Sequence, residues 1–472
     1  MYGREDIIVK SHSSETFRKE AHKLVDFIAN QLELSQAGKF QKTINLTTPE
    51  EQLRYWQDDF QSSKPTDLSG LLAKTFSCSI NFHSKGYMGH QVSTPLPLTA
   101  LTSAFIGYMN NSTTVYELGM AGNAMEKIVI EHLAEKFGYG KATGFVTSGG
   151  SLGNLTALLT ARSSAEVSGK DYHRLAIMIS EEAHYSVERA AKIMGIPNEN
   201  IIKIPVDETF RIRTETLENI YQQANSEGKI IFCIVGCACT TATGAYDDLD
   251  AVASFAQQHK LWFHADGAHG GAVIFSEKYK HVLKGIERSD SLVLDFHKMM
   301  LVPSLSTAVI FNSRNRTAKA FSPQAAYLWQ DQQAEEWYNS AKHTLECTKP
   351  VTILHTYAIM RLYGDRLYQQ HIDTLYDLGK KFAEMIVEHK NMELAAVPSS
   401  NIVCFRYVSN KQNDDEKNRR ILDLLLKEGI FYIVSTTLKG KFYLRVSLMN
   451  PLTNSNDLSE LLKTILEISQ KL

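Results

Sequence analysis

Four short segments carry side chains that could do chemistry together. The first is Asp295-Phe296-His297-Lys298, at the end of the apolar run SLVLDF. A lysine at the end of a buried strand loses water. Burial disfavours its ammonium form, and the free amine attacks carbonyl compounds to give a Schiff base. The plainer alternative is a surface lysine. The second is TSGGSLGN, Thr147 to Asn154, between a strand-like and a helix-like stretch. Glycines there allow close backbone approach, and a helix N-terminus favours an anion such as phosphate. Ser148, Ser151 and Asn154 add side-chain donors. No Gly-Lys-Ser/Thr follows and the pattern is not G-x-G-x-x-G, so a serine-capped glycine turn is the competing reading. The third is His264-Ala265-Asp266-Gly267-Ala268-His269, ending LWFHAD. A carboxylate on a buried strand end is costly without a positive partner. Asp266 could hold a protonated heterocyclic nitrogen. It could instead join His264 and His269 around a metal, although His269 lies beyond a glycine. The fourth is Glu181 to Ser186, EEAHYS, whose His184 could stack on a flat ring or simply pack.

One cofactor accounts for all four. A phosphate cradle, an acid for a ring nitrogen, an imidazole for stacking and a lysine for an aldehyde are what pyridoxal 5′-phosphate requires. We expect this cofactor and no metal.

The elements that must position these residues are legible as short apolar runs. GFVTS at 144, RLAIMIS at 174, KIIFCIVGC at 229, LWFHAD at 261, SLVLDF at 291 and TAVIFN at 307 read as strands. Helical patterns lie between them at 154–164, 185–194 and 247–259. Buried strands alternating with helices imply an α/β layer with a mainly parallel sheet, and ligands of such sheets sit beyond the carboxyl ends of the strands. Before this region, residues 15–35 place Phe17, Ala21, Leu24, Val25, Ile28 and Leu32 on one helical face. After it, a long helical pattern from about 351 precedes the strand-like NIVCFRYVS and GKFYLRVSLM. A closing helix follows, with Asn456 or Asp457 as its expected cap. The division expected is an N-terminal helical arm at 1–80, a large α/β domain at 81–345 and a smaller α+β domain at 346–472.

Composition narrows the partners. The 472 residues carry 50 basic and 52 acidic side chains for a net charge of −2, which argues against nucleic acid as a partner. No apolar stretch is long enough to cross a membrane, and MYGREDIIVK does not read as a secretory leader. Six cysteines are too few for a disulfide scaffold. Cys233, Cys237 and Cys239, spaced C-x3-C-x-C, are expected to pack in the core and stay reduced in the cytoplasm.

The motifs TSGGSLGNLTALLTAR, EEAHYSVERAAKIMGI, HADGAHGG and DFHKMMLVPSLS, in this order, resemble the group II pyridoxal-phosphate-dependent amino-acid decarboxylases over roughly residues 80–450. That family acts on aromatic amino acids, glutamate, cysteine sulfinate and 2,4-diaminobutyrate. The resemblance implies the type I fold of pyridoxal-phosphate-dependent transferases and α-decarboxylation of an L-amino acid to its amine. It also implies a homodimer with the active site at the interface. Aromatic-L-amino-acid decarboxylation is an alternative within the family. An aminotransferase or a carbon–carbon lyase would share the fold.

By position, Lys298 resembles the Schiff-base lysine, Asp266 the partner of the pyridine nitrogen, Ala268 the small residue under the ring and His184 the stacking histidine, which is also a catalytic candidate for positioning or protonating the substrate carbon as an alternative to Tyr338. Gly150 and Ser151 match the phosphate turn, His297 the residue beside the lysine, and Thr240 a threonine that contacts the cofactor. Tyr338 is similar to the tyrosine of a mobile catalytic loop, here near 315–345, that returns a proton to the substrate carbon. Gln91, with His90 beside it, and Arg445 are similar to substrate-binding positions of glutamate decarboxylases; the polar stretch around Gln91 leans toward an acidic or diamino substrate. Cys239, Gly267, Lys349 and the segment Gly119 to Asn123 depart from the family's usual residues.

Overall fold

The structure, a computed structural model, describes residues 4–39, 42–63, 66–313, 318–321, 336–409 and 413–472. They form two compact units. One comprises residues 91–383 and 396–404, and the other residues 1–90, 384–395 and 405–472. These cut the chain at other places than the three segments expected, because the first ninety residues group with the C-terminal ones. The expected loop at 315–345 lies largely outside the described residues.

The larger unit is built on a seven-stranded sheet. In chain order its strands are β1 (Thr143–Thr147), β2 (Leu175–Ser180), β3 (Ile201–Ile204), β4 (Ile230–Cys237), β5 (Trp262–Asp266), β6 (Ser291–Asp295) and β7 (Thr307–Phe311). Their order across the sheet is β1-β7-β6-β5-β4-β2-β3. Only β7 runs against its neighbours, pairing antiparallel with β1 and β6. Every residue of β2, β5, β6 and β7 is buried, as a sheet covered on both faces requires. Phe145, Leu158, Ile177, Val235, Trp262, Val309 and Phe311 belong to its core. All six expected strands are present. The short edge strand β3 is the addition, along with helices Leu98–Met109 and Tyr116–Lys136. Helix Gly150–Ser164 lies close against the sheet because Gly153 has no side chain. A Cβ there would stand 2.9 Å from Val293 Cγ1 and 3.2 Å from Val309 Cγ2.

In the other unit, helices Arg4–Ser11, Ser14–Gln36, Pro49–Gln61 and Leu68–Ser77 precede the C-terminal elements. A second sheet, most of whose residues lie in this unit, has the order β10-β11-β9-β8, with β8 (Met392–Leu394), β9 (Ile402–Tyr407), β10 (Val434–Leu438) and β11 (Lys441–Ser447). Backbone bonds from Met88 N to Tyr432 O, and from Ser447 N to Met88 O, tie the early chain to the late one. The closing helix Ser455–Lys471 is capped by Asn454, not by Asn456 or Asp457; Asp457 completes the capping box from the third helical position.

Candidate active site

The carboxyl ends of five strands deliver the candidate residues to one cavity of about 350 Å3. Gly149, Gly150 and Ser151 follow β1, His184 and Ser186 follow β2, and Cys237, Cys239 and Thr241 follow or end β4. Asp266, Ala268 and His269 end β5, and Asp295, His297 and Lys298 end β6. This is the crevice where open α/β sheets bind ligands. A larger surface groove of about 940 Å3, lined by Lys260, Trp262 and Arg288 among others, lies at the opposite, amino ends of β4 and β5 and holds none of these residues.

Lys298 Nζ stands 3.0 Å from Asp295 Oδ2. Burial alone would lower the lysine's pKa, but the charges of Asp295 and Asp266 outweigh it, and the net direction is upward. Burial likewise pushes the Asp295 carboxyl up, and the charges of Lys298 and His297 with the Thr307 hydroxyl bring it below its ordinary value. Thr307 Oγ1 donates to Asp295 Oδ1 at 2.5 Å. This contact follows from the sheet register, in which Asp295 and Thr307 are paired across β6 and β7. The role of Asp295 shows only in the pairing of β6 with β7. His297 Nδ1 lies 3.0 Å from the Ser306 carbonyl and its Nε2 3.6 Å from Asp295 Oδ2.

Gly149 starts helix Gly150–Ser164 at φ 106°, a conformation open to glycine, and no side chain caps the first turn. Gly150 must be glycine for a different reason: a Cβ there would come within 2.9 Å of both oxygens of Asp295. Leu152 N and Gly153 N donate to the Gly149 carbonyl, which leaves the Gly150 and Ser151 amides and the Ser151 hydroxyl at a helix start suited to an anion. Ser148 does not join them, since its hydroxyl donates to Glu346.

Asp266 Oδ2 accepts from Asn154 Nδ2 at 3.0 Å, and Oδ1 from the Ala268 amide at 3.2 Å. Asn154, one turn into its helix, faces inward to Asp266 and not to the glycine turn. His264 Nε2 meets the same asparagine at 3.0 Å, and His269 Nε2 meets Asn401 Oδ1 at 2.8 Å. The three residues considered for a metal are thus bonded to amides, and among the described residues no three His, Cys, Asp or Glu side chains are placed to hold one. His184 caps helix Tyr185–Ile193, with its Nδ1 2.7 Å from Ser186 Oγ. Its pKa is lowered by burial against the opposing charge of Asp266.

Other candidates lie elsewhere. Thr240 is buried with its hydroxyl bonded to Thr243 and to the Ala245 amide, and Thr241 lines the cavity instead. Tyr338 does not line it; its ring packs edge-on to Tyr116, and its carbonyl accepts from Asn123 Nδ2 at 2.6 Å. Gln91 is buried in the same unit, and the next residues run along the lysine loop, with Ser93 N donating to the His297 carbonyl and Leu96 N to that of Leu301. His90 and Arg445 belong to the other unit, where His90 Nε2 lies 3.1 Å from Tyr432 Oη.

The departures from the family pattern are accommodated. Lys349 donates to the Val146 carbonyl at 2.6 Å beside buried Glu126. Gly122 makes room for Val351, and a Cβ on Gly267 would stand 2.8 Å from Leu292 Cδ1. Cys233 is core as expected, whereas Cys237 and Cys239 also line the cavity.

The conserved domain of the pyridoxal-dependent decarboxylases matches residues 54–408. The chain belongs to this family. The decarboxylase is 26% identical over 433 residues to an L-aspartate decarboxylase of Metarhizium robertsii, covering 88% of this chain and 86% of that one. It is 26% identical over 466 residues to the aromatic-L-amino-acid decarboxylase of Bacillus atrophaeus, covering 97% and 96%. Among solved structures, it superposes with TM-score 0.84 on the glutamate decarboxylase domain of a diaminobutyrate-pyruvate transaminase and L-2,4-diaminobutyrate decarboxylase from Vibrio parahaemolyticus, at 25% identity over 98% of this chain and 96% of that one. The fold is therefore the type I fold expected, the enzyme a pyridoxal-phosphate-dependent amino-acid decarboxylase. The residues present fit the cofactor: an uncapped helix start, a buried carboxylate and a half-buried lysine face one cavity.

Proposed function

We propose that Lys298 is the residue that carries the pyridoxal phosphate and that Asp266 faces its ring nitrogen. Gly150 and Ser151 would hold the phosphate, with His184 and Ala268 on the two faces of the ring. The observation that carries this reading is the convergence of these six residues on the one cavity. When bound, the cofactor supplies an electron sink for the bond broken at the substrate carbon. The chain's own contribution is electrostatic. Asp266 would place its carboxyl group, held by two hydrogen bonds, where a positive ring nitrogen is to be stabilised. Asp295 would hold a proton on the Lys298 nitrogen whenever that amine is free. His297 and Thr240 are read as supports of this loop and turn, and Tyr338 as the proton donor of a loop that closes over the site.

The substrate we propose is an L-amino acid with an acidic side chain. Gln91 Nε2 and Ser93 Oγ are buried without hydrogen-bond partners. Neither lines the cavity, but the amide nitrogen is a donor and a buried donor without a partner is costly, so a ligand that reached it would bring acceptor oxygens. The unpartnered amide donor favours a carboxylate over an indole or the ammonium of a diamino acid. Arg445 and His90 enter this reading through residue chemistry only, the guanidinium being suited to a carboxylate. A panel of L-amino acids scored for carbon dioxide release tests it. Aspartate, glutamate or cysteine sulfinate should lead, and a lead by tryptophan, tyrosine or 2,4-diaminobutyrate would overturn the acidic assignment.

We further propose a cytoplasmic homodimer. All six cysteines are unbridged, as in a reducing compartment. Leu101, Phe105, Tyr108 and Met109 are exposed on helix Leu98–Met109, and Ile7, Ile8, Val9 and Phe17 on the N-terminal arm. Apolar surface of this extent on one chain is what a subunit contact covers. Sedimentation equilibrium should give twice the 53.1 kDa chain mass; a monomer at micromolar concentration would refute the dimer.

A further inference from the structure

A continuous line of hydrogen bonds runs behind the cavity from Trp262 to His184. Trp262 Nε1 donates to Ser291 Oγ at 2.8 Å, and Ser291 Oγ meets His264 Nδ1 at 2.8 Å. His264 Nε2 meets Asn154 Oδ1 at 3.0 Å. Asn154 Nδ2 reaches both Asp266 Oδ2 at 3.0 Å and Ser186 Oγ at 2.9 Å. Ser186 Oγ then meets His184 Nδ1 at 2.7 Å. Trp262, Ser291, His264, Asn154 and Ser186 are all buried.

The carboxylate end fixes the direction of the bonds. A carboxylate can only accept, so the amide nitrogen of Asn154 faces Asp266 and its Oδ1 faces His264 Nε2, which must donate. His264 is neutral because burial holds its pKa at about 4, so its Nδ1 is left to accept from Ser291 Oγ. The Trp262 indole donates to the same serine oxygen, which leaves that direction open to it. Asp266 thus sets the orientation of the Asn154 amide. Its two protons go to Asp266 and Ser186. Ser186 Oγ, already accepting, gives its proton to His184 Nδ1, where the Ser186 amide also points at 3.3 Å. The His184 proton is left on Nε2.

We propose that Asn154 is a positioning residue that ties the carboxylate of Asp266 to the imidazole of His184 and holds His184 as the Nε2–H tautomer. This rests on the reading that the cavity takes pyridoxal phosphate between those two side chains. Asp266 and His184 are then set by one amide, on the face of helix Gly150–Ser164 turned to the sheet. His184 is a fixed hydrogen-bond donor at Nε2. Its one basic nitrogen is occupied by Ser186, so in this state it is not a base.

The direction of the chain is read on the apoprotein, without cofactor or turnover. Long-range 1H–15N correlation on histidine-labelled protein at neutral pH should show His264 and His184 neutral with the proton on Nε2. An Nδ1–H signal for either overturns the proposal. Asn154→Asp keeps an acceptor for His264 but replaces the donor to Asp266 by a second carboxylate. Titration of its apoprotein with pyridoxal phosphate should give a Kd raised by about ten- to a hundredfold, the loss expected for a hydrogen bond to a charged group. An unchanged Kd overturns the proposal; if this variant does not fold, the wild-type tautomers decide. Lys298→Ala separates the two readings. Retention of the visible absorbance band in that variant would mean that the cofactor is misplaced, whereas wrong tautomers in wild type would mean that the hydrogen bonds are misread.

Discussion

Replacing Asp295 by asparagine tests the electrostatics of the lysine directly. Lys298 Nζ lies 3.0 Å from Asp295 Oδ2, and Asp295 is buried. At an effective dielectric constant of about 20, two unit charges at that separation attract by about 5 kcal/mol. Part of this is not lost on substitution. The Lys298 side chain keeps 17% of its exposure, and Asp266 remains as a second negative charge nearby. About half, roughly 3 kcal/mol, is the net expectation, which is a fall of about two units in the lysine's pKa. The sign is downward, because burial, which disfavours the ammonium, is then less opposed. The assay is the pH dependence of labelling of Lys298 in the apoprotein by an amine-directed reagent, followed by mass spectrometry of the peptide. In Asp295→Asn the midpoint should drop by about two units, so labelling near neutral pH rises about a hundredfold. Thr307→Val removes the hydroxyl bond to Asp295 but no charge, and should leave the midpoint within about half a unit. A midpoint unmoved in Asp295→Asn would refute the account of why this lysine holds its proton.

Other outcomes follow from the same geometry. Gly150→Ala should cost about 1–3 kcal/mol in urea unfolding and weaken the cofactor, since its Cβ would meet both oxygens of Asp295 at 2.9 Å; a variant equal to wild type in both measurements would contradict the packing. Gln91→Ala should raise KM for an acidic substrate about tenfold or more with a smaller change in kcat, and equal changes in both would argue against ground-state binding by its amide. Stability should fall as pH drops below about 6.5, the ordinary histidine value. His264 and His371 are buried, and burial holds both at about 4 in the folded chain, so the unfolded chain binds protons first; each should cost about 2 kcal/mol by pH 5. A flat unfolding free energy between pH 7 and pH 5 would show that these imidazoles are not kept neutral.

The strands that end at the cavity were legible because a covered parallel sheet needs unbroken apolar runs, and LAIMIS, WFHAD and SLVLD are such runs. β3 escaped notice because it is four residues long at the sheet edge, with Lys203 exposed in the middle. Motif order led to Lys298, Asp266, His184 and the glycine turn, and the structure gathers those residues. What did not show in the sequence depends on contacts between distant segments or on which face a side chain takes. Asp295 acquires its second partner only through pairing with Thr307 across β6 and β7. Asn154 stands near the glycine turn and reads as an anion donor, yet helix geometry turns it toward Asp266 and His264. Thr240 and Thr241 are neighbours, and a single residue decides which hydroxyl lines the cavity and which closes the turn.

The grouping of the first ninety residues with the last seventy has a consequence for how the chain is made. Thr43 Oγ1 donates to the Ile430 carbonyl at 2.5 Å, across 387 positions of sequence. At synthesis rates of about 5–20 residues per second, the early helices wait roughly 20–80 s for the partners that complete their unit. Residues 91–383, by contrast, carry nearly all of their own unit in one stretch and have it in hand before the final segment emerges. Helix Ser14–Gln36 meets its neighbour Leu68–Ser77 early, with Phe27 against Phe76, so it is the stretch around Thr43 and Ile44, bonded to Gly429 and Ile430, that waits longest for its native neighbours.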